Sequence, residues 1–173
     1  MFGKALGNGY AITSILGKKK IMKAAEKTFI SSTFWTEGIG FVAGRATLKE
    51  FNRLKPWKKI KKMGTYIKKR WLDIAEKNNI EIEVFGLDAL PGFKFKYKEN
   101  NLYKSFITQE FLKNNILAST SIYVSNDHNM KVINKYLVIL DKIFAKISEY
   151  RKNKRKKKLL NGPEAMIGMS RSN

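Results

Sequence analysis

The chain has no cysteine among its 173 residues. That removes disulfide frameworks, thiolate metal sites and cysteine nucleophiles together, and it fits a reducing compartment, so a cytoplasmic location is expected. No apolar run approaches the ~20 residues needed to cross a bilayer, and the N-terminus lacks the continuous apolar core of a signal peptide. No membrane partner is expected. Nothing in the sequence has the pattern of a metal site or a Ser-His-Asp arrangement, and no glycine-rich nucleotide loop follows a complete strand. Acidic residues are scarce, 14 against 35 lysines and arginines, which leaves a net charge of +21. Taken alone, such a charge suggests a polyanion such as RNA, DNA or an acidic membrane surface. Only six of the 35 cations are arginine, however, whereas planar, bidentate phosphate recognition favours arginine. The abundance of lysine, isoleucine and asparagine is also what an AT-rich genome produces. Nucleic acid is therefore not expected as a partner. A basic nucleic-acid-binding module stands as the alternative, and its binding would weaken steeply with salt.

What is present is enough to fold. Apolar residues make up 43% and aromatics 12% of the chain, inside the globular range. The length suits one ordinary domain, or a small domain with a piece of another. Residues Met1 to Gly9 form a glycine-punctuated turn, Tyr10 to Gly17 suggests a short buried strand, Lys18 to Lys27 a short helix and Phe29 to Ser32 a brief extended piece. From Thr36 to Leu54 a helix is expected to pack through Ile39, Val42, Ala43, Ala46 and Leu48, with Pro56 interrupting it. Trp57 to Asn78 places Ile60, Met63, Ile67, Trp71, Leu72 and Ala75 near helical spacing.

The period then changes to alternation, predicting strands at Ile80 to Phe85 and Phe93 to Tyr97 joined across Gly86 to Gly92. A helix from Ser105 to Asn115, a third strand from Thr120 to Val124 and a long helix from about Asn129 to Tyr150 follow, with Ser125, Asn126 and Asp127 offered as N-caps. The apolar stripe of the long helix is Leu137, Leu140, Ile143, Phe144 and Ile147. Arg151 to Lys158 reads as a solvated basic run, and Leu159 to Asn173, with Pro163 and Gly168, as a packed terminal loop. The expected division is 1–54, carrying α/β elements whose sheet partners are missing, and 55–173, a small α+β domain with an antiparallel sheet and helices on one face.

Lys4 is the residue that draws chemical attention. It stands in Phe2-Gly-Lys-Ala-Leu-Gly-Asn-Gly-Tyr10, among glycines that permit tight turns and close approach of a bulky group. A lysine held this way can attack a carbonyl to form a Schiff base. His128, the only histidine, precedes a predicted helix within a run of cap residues and suits a structural role. Glu81 and Glu83 alternate with apolar residues and belong to the solvent face of a strand.

The run from Phe2 to Gly17 resembles the lysine motif of the class III aminotransferases, which are fold type I pyridoxal-phosphate enzymes, and within them most of all the glutamate-1-semialdehyde 2,1-aminomutase group. The resemblance continues through Phe29-Ile-Ser-Ser-Thr33-Phe-Trp-Thr-Glu37. It extends to Phe106-Ile-Thr-Gln-Glu110, Asn115-Ile-Leu117, Ile122-Tyr-Val-Ser125 with His128, and Leu160-Asn-Gly-Pro163. It implies an α/β fold, here truncated to a remnant of the large domain followed by the small C-terminal domain. It implies that Lys4 forms the Schiff base with pyridoxal 5'-phosphate and shuttles a proton between substrate and cofactor carbons. Thr33 matches the threonine that binds the cofactor phosphate across the dimer interface. The implied activity is amino-group transfer or 1,2-amino migration on an amino-acid or amino-sugar-like substrate, in a homodimer.

Three further parts of the family's site precede its lysine: an acid for the pyridine nitrogen, a stacking aromatic and a glycine/serine phosphate loop. None is present here, so the chain is expected to be a C-terminal fragment or one piece of a split gene. Glu37-Gly38 stands where the aminomutases often have Asn-Pro, and Arg45 occupies a usually apolar helix position. The first departure allows a different transaminase subgroup.

Overall fold

The computed structural model describes residues 2–153 and 158–166. The middle of the expected basic run, 154–157, and the end of the expected terminal loop, 167–173 with Gly168, lie outside the described residues. The chain divides into two compact units, Met1–Lys55 and Pro56–Asn173.

The first unit has little regular structure before its one long helix. Helix α1 (Lys19–Met22) runs into a 3-10 turn at Lys23–Lys27, and helix α2 (Gly38–Leu54) closes the unit. The strand expected at Tyr10 to Gly17 is absent. Only Ser14 pairs, with Phe2, through an isolated antiparallel bridge, because a strand needs a neighbour for its backbone groups and none lies alongside. Phe29 to Ser32 likewise forms no strand, and Phe29 is 95% exposed. Helix α2 also buries a different face from the one expected: Ile39, Val42 and Leu48 are exposed, while Gly40 and Gly44 are buried. Among the described residues of this unit only Gly7, Gly40 and Gly44 are buried, so it has no hydrophobic core of its own.

Lys55, which follows α2, takes the left-handed conformation (φ 47°). Pro56 then opens helix α3 (Pro56–Lys77), where its missing N–H costs nothing. Of the expected apolar face, Met63, Ile67, Trp71 and Ala75 are buried and Ile60 is half-buried, but Leu72 is 50% exposed. Gly64 lets α3 cross the following hairpin closely, since a methyl there would sit 1.9 Å from the Asp88 carbonyl oxygen.

The hairpin is tighter than expected. Strands β1 (Ile82–Leu87) and β2 (Leu90–Phe95) run into the glycine-containing stretch and turn over two residues, Asp88 and Ala89. Glu83 faces Lys94 across the pair at 3.1 Å. The expected third strand lies beside β2 through one bridge, Gly92 to Ser121, with hydrogen bonds from Phe93 N to Thr120 O and from Ile122 N to Pro91 O. Pro91 has no N–H with which to return that last bond; Val124 N donates on to Ala89 O at 3.0 Å, and among the described residues the regular sheet has two strands.

Helix α4 (Asn100–Leu112) starts earlier than expected, and Asn100 Oδ1 accepts from the Phe95 N–H at its foot. Helix α5 (Met130–Lys152) is capped by Asn129, not by Ser125 to Asp127: the Asn129 side-chain Oδ1 accepts from the Val132 N–H at 3.0 Å. All five expected stripe residues of α5 are buried. The three long helices of this unit and the hairpin enclose a core in which Trp71, Phe93, Tyr103, Phe111 and Phe144 are at most 1% exposed. Arg151 stacks over the Tyr97 ring, 3.4 Å from its centre, and Leu160 is buried while Ala165 N donates to Ser105 Oγ. The described part of the terminal segment is therefore packed only at Leu159 and Leu160, while 161–166 are exposed.

One buried ion cluster ties α4 to α5. Glu110, 5% exposed, accepts from Lys113 with one carboxylate oxygen and from Lys146 with the other. Burial pushes its carboxyl up, but the hydrogen bonds from Lys113, Lys146 and Gln109 outweigh it and hold the pKa below the ordinary value. The folded-state pKa is thus depressed. The cluster stabilises the protein above the unfolded value of about 4.3, and this contribution is lost as pH falls through the folded value. Glu110→Gln should therefore cost about 1–3 kcal/mol at neutral pH. In urea titrations the gap between variant and parent should close below about pH 4; a gap independent of pH would contradict the assignment.

Candidate active site

Lys4 sits at the start of a 3-10 turn, Lys4–Leu6, with φ +47°. Left-handed backbone is uncommon for a residue other than glycine, asparagine or aspartate and costs about 1–2 kcal/mol. Local bonds hold it there. Leu6 N donates to Gly3 O, Asn8 N to Lys4 O and Tyr10 N to Gly7 O, at 3.1 to 3.2 Å, and the Phe2–Ser14 pair closes the loop with bonds of 2.7 and 2.8 Å. Gly7 is required inside it, because a methyl there would lie 2.0 Å from Tyr10 O. Helix α2 backs the same loop at backbone distance: a methyl on Gly40 would lie 2.6 Å from Ala11 O, and one on Gly44 3.4 Å from the Ile12 side chain.

The Lys4 side chain is exposed, and its ammonium has no hydrogen-bond or ion-pair partner among the described residues. It lines an open concavity of about 1170 Å³ that also takes in the loop at 10–13, the segment at 30–35 and the first turns of α2. Tyr10, Phe34, Trp35 and Phe41 give it aromatic walls, and Glu37 is the only carboxylate in its lining. Thr33 is exposed in the turn that follows Ser32, but unlike its neighbours Ser32 and Phe34 it does not line the concavity. The structure therefore does not bring Lys4 and Thr33 into one site.

Sequence reasoning treats Glu37 only as a departure from the family and passes over Tyr10 and Phe41. No period marks them, and their common feature, facing one concavity, exists only after α2 folds back on the loop. His128 is structural. Its Nδ1 accepts from the Ser125 N–H at 2.9 Å and closes the turn before α5. No group of three or more His, Cys, Asp or Glu side chains could hold a metal among the described residues.

The donor set fits part of pyridoxal phosphate. An unpaired amine on an open wall suits the aldehyde, and the hydroxyls of Ser31 and Ser32, which line the same concavity, offer neutral donors of the kind a phosphate accepts from. The carboxylate needed by the ring nitrogen has one candidate on this wall, Glu37.

The family model described as "Aminotransferase class-III" matches residues 1–147. Among relatives, 3-aminobutyryl-CoA aminotransferase of Cloacimonas acidaminovorans is 32% identical over 115 residues, 64% of this chain and 27% of that protein. Glutamate-1-semialdehyde 2,1-aminomutase of Methanosphaera stadtmanae is 25% identical over 163 residues, 84% of this chain and 38% of that protein. Among solved structures, the PLP internal aldimine form of the FumI protein of Sphingopyxis sp. MTA144 superposes with a TM-score of 0.76 at 19% identity, over 87% of this chain and 37% of that one. The chain thus spans between 27% and 38% of the length of these proteins. The structural likeness shows the fold, a partial α/β domain of the transaminase type.

Proposed function

Because this chain belongs to the class-III aminotransferase family, we propose that it supplies the Schiff-base lysine and the C-terminal domain of a pyridoxal-phosphate enzyme that moves an amino group. The observation that carries this reading is Lys4: an unpaired amine, in strained backbone, on a glycine turn that opens into a concavity. Backbone strain of this kind gathers at functional sites.

The cofactor, when bound, supplies an electrophilic carbonyl and a conjugated ring that withdraws electrons from the substrate carbon. Lys4 does the rest of the local chemistry. Its Nζ would hold the aldehyde end of the cofactor, and as a free amine it would hold or move the proton at the substrate carbon. Thr33 donates its hydroxyl to the phosphate in the site of a second subunit. The exposed rings of Tyr10, Phe34, Trp35 and Phe41 would offer flat apolar faces beside the reacting carbon. Residues 1–54 act as the remnant of the large domain and 55–173 as the small domain.

Transamination is the broader form of the activity. The match to aminomutases favours 1,2-amino migration, while Glu37-Gly38 and the 32% identity to a 3-aminobutyryl-CoA aminotransferase favour transfer between two molecules on an amino-acid-like substrate. Incubation with pyridoxal phosphate, reduction with sodium borohydride and peptide mapping tests the lysine. Label concentrated on Lys4 is expected. Label spread evenly over the 29 lysines would count against the site.

A further inference from the structure

We propose that Ile12 is a positioning residue for the Lys4 site: its branched side chain sits among three glycines, Gly7 on the lysine's own turn and Gly40 and Gly44 on α2, and holds that turn at a fixed height on the helix. The proposal rests on the reading of Lys4 as the Schiff-base lysine.

From 10 to 18 the chain forms neither helix nor strand, and only Ile12 and Ser14 are not exposed. Ser14 is held by its backbone pairing with Phe2. Ile12 is held by its side chain. A methyl on Gly7 would lie 2.8 Å from Ile12 Cγ2, one on Gly40 3.2 Å from Ile12 Cβ, and one on Gly44 3.4 Å from Ile12 Cδ1. Each part of the isoleucine side chain thus has its own glycine.

Shape, and not apolar character alone, suits the side chain to this seat. Branching at Cβ leaves isoleucine few χ1 choices. Its two limbs therefore point in set directions, Cγ2 to the lysine turn and the limb that ends in Cδ1 to the helix. The bonds from Leu6 N to Gly3 O and from Asn8 N to Lys4 O lie within the turn. They fix its form but not where it stands against Glu37 and Phe41, which line the concavity together with Lys4. Ile12 supplies that second constraint. Reaction rate is sensitive to it, because a misplacement of about 1 Å can cost on the order of 100-fold.

The test compares side chains of like apolar character and different shape in the whole chain. It has two readouts: the share of borohydride-fixed pyridoxal found on Lys4, and hydrogen exchange at the Asn8 amide, which donates to Lys4 O. Ile12→Leu keeps the volume but loses the branch at Cβ, and with it the contact to Gly7. The Lys4 share should fall about tenfold or more, and Asn8 exchange should speed up. Ile12→Val keeps Cγ2 and loses only Cδ1. The share should fall less, and Asn8 exchange should be unchanged. Adding Gly44→Ala, which sets a methyl beside the vacated space, should restore the share in Ile12→Val but not in Ile12→Leu. Ile15→Leu, at an exposed position, should leave both readouts as they are. Should Ile12→Leu fail to fold by circular dichroism, Ile12→Val with and without Gly44→Ala decides. Leucine serving as well as isoleucine in both readouts would overturn the proposal, as would equal losses in Ile12→Leu and Ile15→Leu. A parent chain with no preference for Lys4, in which Asn8 exchange still separates leucine from valine, would sink the Schiff-base reading and leave the seat of the turn supported.

Discussion

Replacing Lys4 by glycine should erase borohydride-fixed pyridoxal at this position while making the turn that carried it more stable. The two effects have separate causes. Glycine removes the amine, so no nucleophile remains on that wall of the concavity. It also takes φ +47° without the Cβ clash that lysine suffers there, relieving about 1–2 kcal/mol. The Asn8 amide, which donates to Lys4 O, reports on the turn, and its hydrogen exchange should slow by about 5–30-fold. Lys4→Ala separates the effects, because it removes the amine and keeps the clash: label lost, exchange unchanged. A glycine variant that loses label and also loosens the turn would mean that the lysine side chain is structural. That result would remove the main support for a Schiff-base site.

Trp71→Ala should be the most damaging single change in the second unit. Trp71 is fully buried, meets Phe93 edge-on at 4.8 Å and donates its indole N–H to the Tyr136 hydroxyl at 3.1 Å. Truncation leaves a cavity and an unpaired hydroxyl, for a cost of about 3–5 kcal/mol. Against a total stability of about 5–15 kcal/mol for a domain, most of the margin is gone. Burial already drives the Tyr136 hydroxyl far above its ordinary pKa, so it cannot ionise to escape. Urea melts measure the loss. Tyr136→Phe, which keeps the ring stacked on Phe111 but leaves the indole N–H unsatisfied, should cost only about 1–3 kcal/mol. Similar losses in the two variants would show that the hydrogen bond, not the volume, carries the effect.

These two sites also mark how far the sequence could be read. In α3 and α5 the apolar period is local, and the core of the second unit follows from it: Met63, Ile67 and Trp71 on one helix, Leu137, Leu140 and Phe144 on the other. Period fails where a single residue decides. Asn129 caps α5 because its side-chain Oδ1 reaches Val132 N, although three earlier residues have equal propensity. In the first unit period misleads. Ile39, Val42 and Leu48 look like a core stripe, but the loop at 10–12 approaches α2 through Gly40 and Gly44, whose lack of side chains carries no hydrophobic signal. Lys4 and Thr33 are visible through the likeness of their flanking residues to a family. The concavity is visible only in three dimensions.

The close contact between Gly40, Gly44 and the loop at 10–12 divides the site into two kinds of material. At Gly40 its floor is main chain pressed against main chain, where an added methyl would lie 2.6 Å from Ala11 O, and at Gly44 it rests on the Ile12 side chain. Its walls are exposed side chains, Tyr10, Phe34, Trp35, Glu37 and Phe41, none of which supports a core. Mutation can therefore redraw what the site admits at almost no cost in folding, while the seat of the lysine stays closed to change.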